Sequence, residues 1–203
     1  MNNLSQQLMK YQGLIFDMDG TLLDTMPAHL EAWHQTAQEF GFGFDQRWFH
    51  ALGGMPSPKI TLKVNQEQGL NLDPQAVSRF KMQSFAAIRD KGAPIEVTVD
   101  IVKAMHGERP LAVGTGSQSV SANELIEGAG LMPYFEAIVT ANDVDNHKPE
   151  PDTFLLAAQK IGCEPSQCVV FEDTDLGKQA AHAAGMDCFM VVGNQLVFHP
   201  VDL

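Results

Sequence analysis

Short apolar runs alternate with amphipathic stretches along most of this chain. Gly13-Leu14-Ile15-Phe16, Pro110-Leu111-Ala112-Val113-Gly114, Ala137-Ile138-Val139-Thr140, Cys168-Val169-Val170-Phe171 and Cys188-Phe189-Met190-Val191-Val192 are the runs. Continuous apolar runs of this length suit strands buried on both faces. Residues with helical spacing lie between most of them, at about 119–129, 151–161 and 176–184. Strands that alternate with helices pair in parallel, because a crossover returns the chain to the same end of the sheet. The pattern predicts a doubly wound, Rossmann-like α/β sheet.

One stretch breaks the alternation. Between about Pro27 and Ile95 there are helix signals and no convincing strand. Leu30, Trp33, Ala37 and Phe40 fall on one face of a helix, which Phe40-Gly41-Phe42-Gly43 stops. Pro56-Ser57-Pro58 opens a second helix reaching about Gln68. Asp73-Pro74 reads as a cap followed by proline at the first helical position. That third helix is expected to run to about Arg89, before Lys91-Gly92-Ala93-Pro94 ends it. The expected organisation is a core of residues 1–26 and 93–203 with a small helical cap, residues 27–92, inserted after the first strand. The tail from about Asn194 carries no assignable pattern.

Composition narrows the function classes. The chain has 203 residues, 13 Lys plus Arg against 25 Asp plus Glu, and a net charge of −12. That balance argues against nucleic-acid binding and against a basic membrane-surface helix. No apolar run approaches the roughly 20 residues that span a bilayer, and the N-terminus lacks a signal-peptide pattern. Three cysteines without zinc-like spacing suit a reduced, cytoplasmic chain. A monomer is the default expectation.

The candidate chemistry gathers at strand ends, where ligands bind in open α/β sheets. The first strand ends in Asp17-Met18-Asp19-Gly20-Thr21, although Asp is depleted in strands. The fourth ends in Glu172-Asp173. Four carboxylates converging on one edge repel one another unless a cation lies between them, and their hard oxygens suit Mg²⁺. Gly114-Thr115-Gly116-Ser117 reads either as a phosphate cradle before a helix N-terminus or as a tight turn with Thr as cap. In His147-Lys148-Pro149 the proline restricts the backbone before it, which aims Lys148 in a fixed direction.

This set resembles the haloacid dehalogenase superfamily of phosphotransferases: DMDGT its first motif, VGTGS the second, HKPEPD the third and FEDTDLG the fourth. Within it the chain is similar to the β-phosphoglucomutase-like subgroup, with its helical cap, and there to bacterial fructose-1-phosphate phosphatases. The resemblance implies Asp17 as nucleophile and Asp19 as general acid and base. It implies Mg²⁺ held by Asp17, the Asp19 backbone carbonyl and Asp173, with Glu172 direct or through water. Thr115 and Lys148 would stabilise the transferring phosphoryl, beside Gly116 and Ser117. In the cap it points to His29, over Asp19, and to Trp33, either of which also reads as an ordinary surface or core residue. The subgroup's mutases carry a Gly-x-Ser-Arg cap pattern; here the stretch is Gly54-Met55-Pro56-Ser57-Pro58-Lys59, and Lys59 cannot make the bidentate fork of an Arg. The expected activity is therefore hydrolysis of small sugar phosphates. A phosphomutase and a non-catalytic phosphometabolite-binding module are the alternatives, and a small-molecule phosphate ester is the expected partner.

Overall fold

The structure, a computed structural model, describes residues 3–201. In chain order it contains α1 (Asn3–Leu8), β1 (Gly13–Phe16), α2 (Met26–Phe40), α3 (Gln46–Ala51), α4 (Ser57–Gln68), α5 (Pro74–Ala87), α6 (Glu96–Met105), β2 (Leu111–Gly114), α7 (Ser119–Gly128), β3 (Ala137–Val139), α8 (Asp152–Lys160), β4 (Cys168–Glu172), α9 (Asp175–Ala183), β5 (Asp187–Val192) and β6 (Gln195–His199). The strands form one sheet in the order β3-β2-β1-β4-β5-β6. Every pairing is parallel except β5 with β6. This is the doubly wound α/β sheet expected from the sequence.

Strand alternation builds the two cores. Leu14 and Phe16 of β1 face one side, with Val99, Val102, Ala122 and Ile126 of α6 and α7. Ile15 faces the other, with Phe154, Ala157, Ala180 and Ala181 of α8 and α9. A slip of one residue would exchange these faces, so burial on both sides fixes the register. Phe16 pairs in register with Val113 and Phe171, which brings the ends of β1, β2 and β4 to one edge.

Helices α2 to α5 lie between β1 and β2 and have their own apolar cluster, with Trp33, Phe49, Ile60 and Val77 at its centre. Gly41 stops α2 in the left-handed region, φ 72°. Asp73 caps α5 by accepting from the Gln75 N–H. The chain leaves and re-enters the sheet layer side by side. The Asp24 N–H donates to the Ala93 carbonyl at 2.9 Å. A Cβ at Gly92, φ +103°, would lie 1.8 Å from the Asp24 oxygen, so only glycine fits there.

Four features depart from the sequence reading. The tail without a pattern holds β6, an edge strand whose Gln195, Val197 and Phe198 are all exposed, so no alternation marks it. Helix α3 has six residues, too few for a periodicity. Helix α6 is rich in β-branched residues, a poor local helix signal; packing of Val99, Ile101 and Val102 overrides it. Helix α5 ends at Ala87, short of Arg89. No helix among the described residues is long and apolar enough to cross a membrane.

Candidate active site

Two charged clusters meet at this edge. The first is assembled from strand ends. Asp17 extends the ladder beyond β1, its N–H donating to the Phe171 carbonyl at 2.9 Å. Lys148 is fully buried, and its Nζ donates to Asp17 Oδ1 at 2.6 Å and to Glu172 Oε1 at 2.7 Å. Glu172 Oε2 accepts from the Thr174 N–H at 2.6 Å and its hydroxyl at 2.9 Å. Thr174 in turn caps α9, accepting from the Gly177 N–H at 3.1 Å. A Cβ at Gly177 would lie 1.9 Å from the Glu172 carboxyl carbon, so the start of α9 needs glycine there.

Carboxylates outnumber cations in this cluster. Burial raises the Asp17 carboxyl well above its ordinary range; Lys148 works against that, and Glu172, Asp173 and Asp19 add to it. Asp173 is pushed up to about 8 by burial and then by Glu172. Burial disfavours the Lys148 ammonium, but Asp17 and Glu172 more than offset it and raise its pKa. Ligand oxygens of Asp17, Glu172 and Asp173 all lie within 4.8 Å of one another. An all-oxygen set with unbalanced negative charge fits a hard divalent cation such as Mg²⁺. Both Glu172 oxygens already accept from protein donors, so Asp17 and Asp173 hold the freer ones.

The second cluster surrounds Asp19. Its Oδ1 accepts from the Thr25 hydroxyl at 2.6 Å and lies 3.1 Å from His29 Nε2; its Oδ2 accepts from the Ser117 hydroxyl at 2.6 Å. The Thr115 hydroxyl stands 3.5 Å from Oδ2. On its other edge, His29 Nδ1 lies 2.7 Å from Lys81 Nζ. An ammonium can only donate, so the neutral ring carries its proton on Nε2 and gives that hydrogen bond to Asp19. Burial, then the Lys81 charge, push His29 down, and burial pushes Lys81 down to about 8. Burial would raise Asp19; His29, Ser117 and Thr25 reverse that and hold it well below the usual carboxylate range.

Between this cluster and the inserted helices lies a cavity of about 70 Å³. Asp19, His29, Ser57, Lys81 and Ser117 form its polar side; Trp33, Phe49, Met55, Ile60 and Met82 are on its apolar side. The insertion reaches the sheet layer directly. A Cβ at Gly116 would lie 2.1 Å from the Gly54 carbonyl oxygen, so Gly116 seats that loop.

The family model of haloacid dehalogenase-like hydrolases matches residues 14–191. The chain belongs to that family. The fructose-1-phosphate phosphatase YqaB of Escherichia coli (strain K12) is 49% identical to it over 179 residues, 88% of this chain and 95% of that protein. The phosphorylated carbohydrates phosphatase of Thermotoga maritima is 28% identical over 180 residues, 87% of this chain and 82% of that protein. The solved β-phosphoglucomutase of Clostridium difficile shares the fold, with a TM-score of 0.81 at 20% identity over 89% of this chain and 84% of that one.

In this haloacid dehalogenase-like hydrolase the edge gathers Asp17, Asp19, Thr115, Gly116, Ser117, Lys148, Glu172, Asp173 and His29. Trp33 does two things: it is 4% exposed, packs on Phe49 and lines the cavity. Lys59, expected at the substrate, is not among the cavity-lining residues. Its neighbour Ile60 takes the inward position on α4, and consecutive helical residues point about 100° apart. The Lys59 charge is felt instead at His147, after burial the main influence lowering that imidazole's pKa. Ser117, expected at the phosphoryl group, bonds Asp19. Thr25 and Lys81 are not among the site residues that the motifs point to. Thr25 reads as a helix cap before Met26-Pro27, yet it makes no side-chain cap bond and turns its hydroxyl to Asp19. Lys81 is one of seven Lys and Arg in residues 27–92, and only helix packing tells them apart.

Proposed function

We propose that this hydrolase is a Mg²⁺-dependent phosphatase of small sugar phosphates, of the fructose 1-phosphate type, working through a phosphoryl-Asp17 intermediate. The observation that carries this reading is the buried Lys148 ammonium shared by Asp17 and Glu172, with a second carboxylate, Asp19, facing the cavity. Lys148 holds Asp17 Oδ1 and leaves the other oxygen to attack phosphorus. Asp19 protonates the leaving alcohol oxygen, then draws a proton from the water that cleaves the phosphoryl-Asp17 bond. Its hydrogen-bond donors favour the ionised form that the second step needs, so the first step draws on the protonated minority, which the proton taken from water restores. Thr115 and Lys148 face the charge on the transferring group. Asp17, the Asp19 backbone carbonyl and Asp173 would hold Mg²⁺, with Glu172 behind them. When bound, the ion supplies positive charge to the phosphoryl oxygens.

Residues 27–92 act as a cap domain hinged where the two linkers cross, at Asp24 and Gly92, and its closure keeps water from the site until the alcohol has left. No arginine is among the cavity-lining residues, Lys81 is committed to His29, and Lys59 is elsewhere. A second phosphate finds no clamp, which supports hydrolysis over a mutase reaction. Unpaired Cys163, Cys168 and Cys188 suit an enzyme of the reduced cytoplasm. The test is phosphate release from a panel of sugar phosphates with Mg²⁺, with and without EDTA, for the wild type and Asp17→Asn. Release that needs both Mg²⁺ and Asp17 is expected; release that survives either loss overturns the reading.

A further inference from the structure

The Phe85 side chain has no polar atom, is 1% exposed and does not line the cavity, so the proposed chemistry does not use it. Its surroundings nevertheless converge on that chemistry. The His29 ring lies flat against it, with centroids 4.2 Å apart and planes 9° apart. Lys81 Nζ stands 5.0 Å from the ring centroid, and Lys91 Nζ 5.1 Å. Lys91 also donates to the Ala86 and Ile88 carbonyls, closing the end of α5 at the start of the returning linker. Phe85 shares a cluster with Ala28 and Ala32 of α2, and Leu125 of α7 packs against that cluster.

The His29 ring is held at its two nitrogens, by Lys81 and by Asp19. Two such contacts fix a line and leave the ring free to pitch about it. A flat partner removes that freedom, and stacked aromatic contacts favour this approach. Lys81 and Phe85 are i and i+4 on one face of α5, so one helix supplies both restraints. Lys91 ties the same ring to the linker that must move if the insertion opens.

We propose that Phe85 is a positioning residue for Asp19. It sets the plane of His29, and through Lys91 it makes that alignment depend on the position of the returning linker. The inference rests on the phosphatase reading and extends it to a residue remote from the reacting atoms.

The test compares wild type, Phe85→Leu, Phe85→Tyr and Lys91→Met, each with Mg²⁺ and the best substrate of the panel. Phe85→Leu removes the flat face, and kcat is expected to fall about tenfold or more with KM within about twofold, as misplacement of a catalytic group predicts. Phe85→Tyr keeps the face and retains wild-type kcat. Nitrogen-15 NMR of the His29 ring gives a readout that a merely structural role would not move. Wild type shows one locked Nε2–H tautomer; Phe85→Leu and, to a lesser degree, Lys91→Met show averaged signals. Unchanged His29 signals in a folded variant, or equal losses in Phe85→Tyr and Phe85→Leu, overturn the proposal. If Phe85→Leu does not fold, Lys91→Met leaves the core intact, and unchanged His29 signals in it overturn the link to the linker. If wild type releases no phosphate, the phosphatase reading fails, while the NMR comparison still decides whether Phe85 positions His29.

Discussion

The two charged clusters at the sheet edge are built in opposite ways. Asp17, Lys148 and Glu172 come from the ends of β1 and β4 and from the loop after β3, so sheet register brings them together. Asp19, His29 and Lys81 meet because α2 and α5 pack side by side above the edge. The strand-end cluster has excess negative charge that calls for a cation. The helix-packed cluster is already satisfied, each of its groups having a partner. One part of the site therefore offers a place for a cation, and the other rests on how the insertion sits. Breaking either cluster should have different consequences.

The largest effect is expected from Asp17→Asn. The side chain keeps its shape and loses the oxygen proposed as nucleophile, so turnover should fall by at least about 10⁴-fold, as removal of a nucleophile does elsewhere. Steady-state phosphate release measures it. Lys148→Met should cost activity and stability together. It leaves Asp17 and Glu172 buried without their shared cation, and stranding buried charge costs about 3–5 kcal/mol. Urea unfolding without Mg²⁺ reads that loss. Added Mg²⁺ should raise the midpoint of this variant, since a cation that binds only the native state stabilises it.

Lys81→Met should separate the two properties. The ammonium is buried, burial lowers its pKa to about 8, and it makes no ion pair with a carboxylate among the described residues. An apolar side chain of similar length removes that desolvation cost, so stability should hold or rise. The His29 tautomer loses its restraint, and kcat should fall about tenfold, the low end of what acid–base groups contribute. Activity lost without stability, set against Lys148→Met, confirms that the clusters do different work. A joint loss in both variants would mean that the insertion and the sheet edge form one electrostatic unit.

The same contrast explains what could be read from the chain alone. A strand end is a local feature, so Asp17, Asp19, Lys148, Glu172 and Asp173 are visible as short motifs at the ends of apolar runs. The sheet is legible for the same reason, because β1, β2 and β4 are buried on both faces. What could not be read depends on tertiary packing. Lys81 looks like Lys59, Lys63, Arg79 and Arg89 until α5 is docked on α2. Thr25 has the sequence context of a helix cap, and only the position of Asp19 diverts its hydroxyl. Strand β6 escapes because it is an exposed edge whose side chains keep no alternating pattern.

The smallest expected effect makes the sharpest check on that limit. Lys59 is the residue that motif comparison offers as a substitute for a phosphate-clamping arginine, and it lies one position from Ile60, which does line the cavity. If α4 is docked as described, Lys59→Met leaves kcat and KM for a monophosphate within about twofold, since exposed or half-buried charges away from a site act weakly through solvent. Ile60→Ala, which opens the apolar wall, should raise KM more. A larger KM increase in Lys59→Met than in Ile60→Ala would mean that α4 turns toward the substrate during turnover. With Lys81 committed to His29, the free cation that the cavity lacks would then be supplied by that movement, and the case for hydrolysis over a mutase reaction would lose its electrostatic basis.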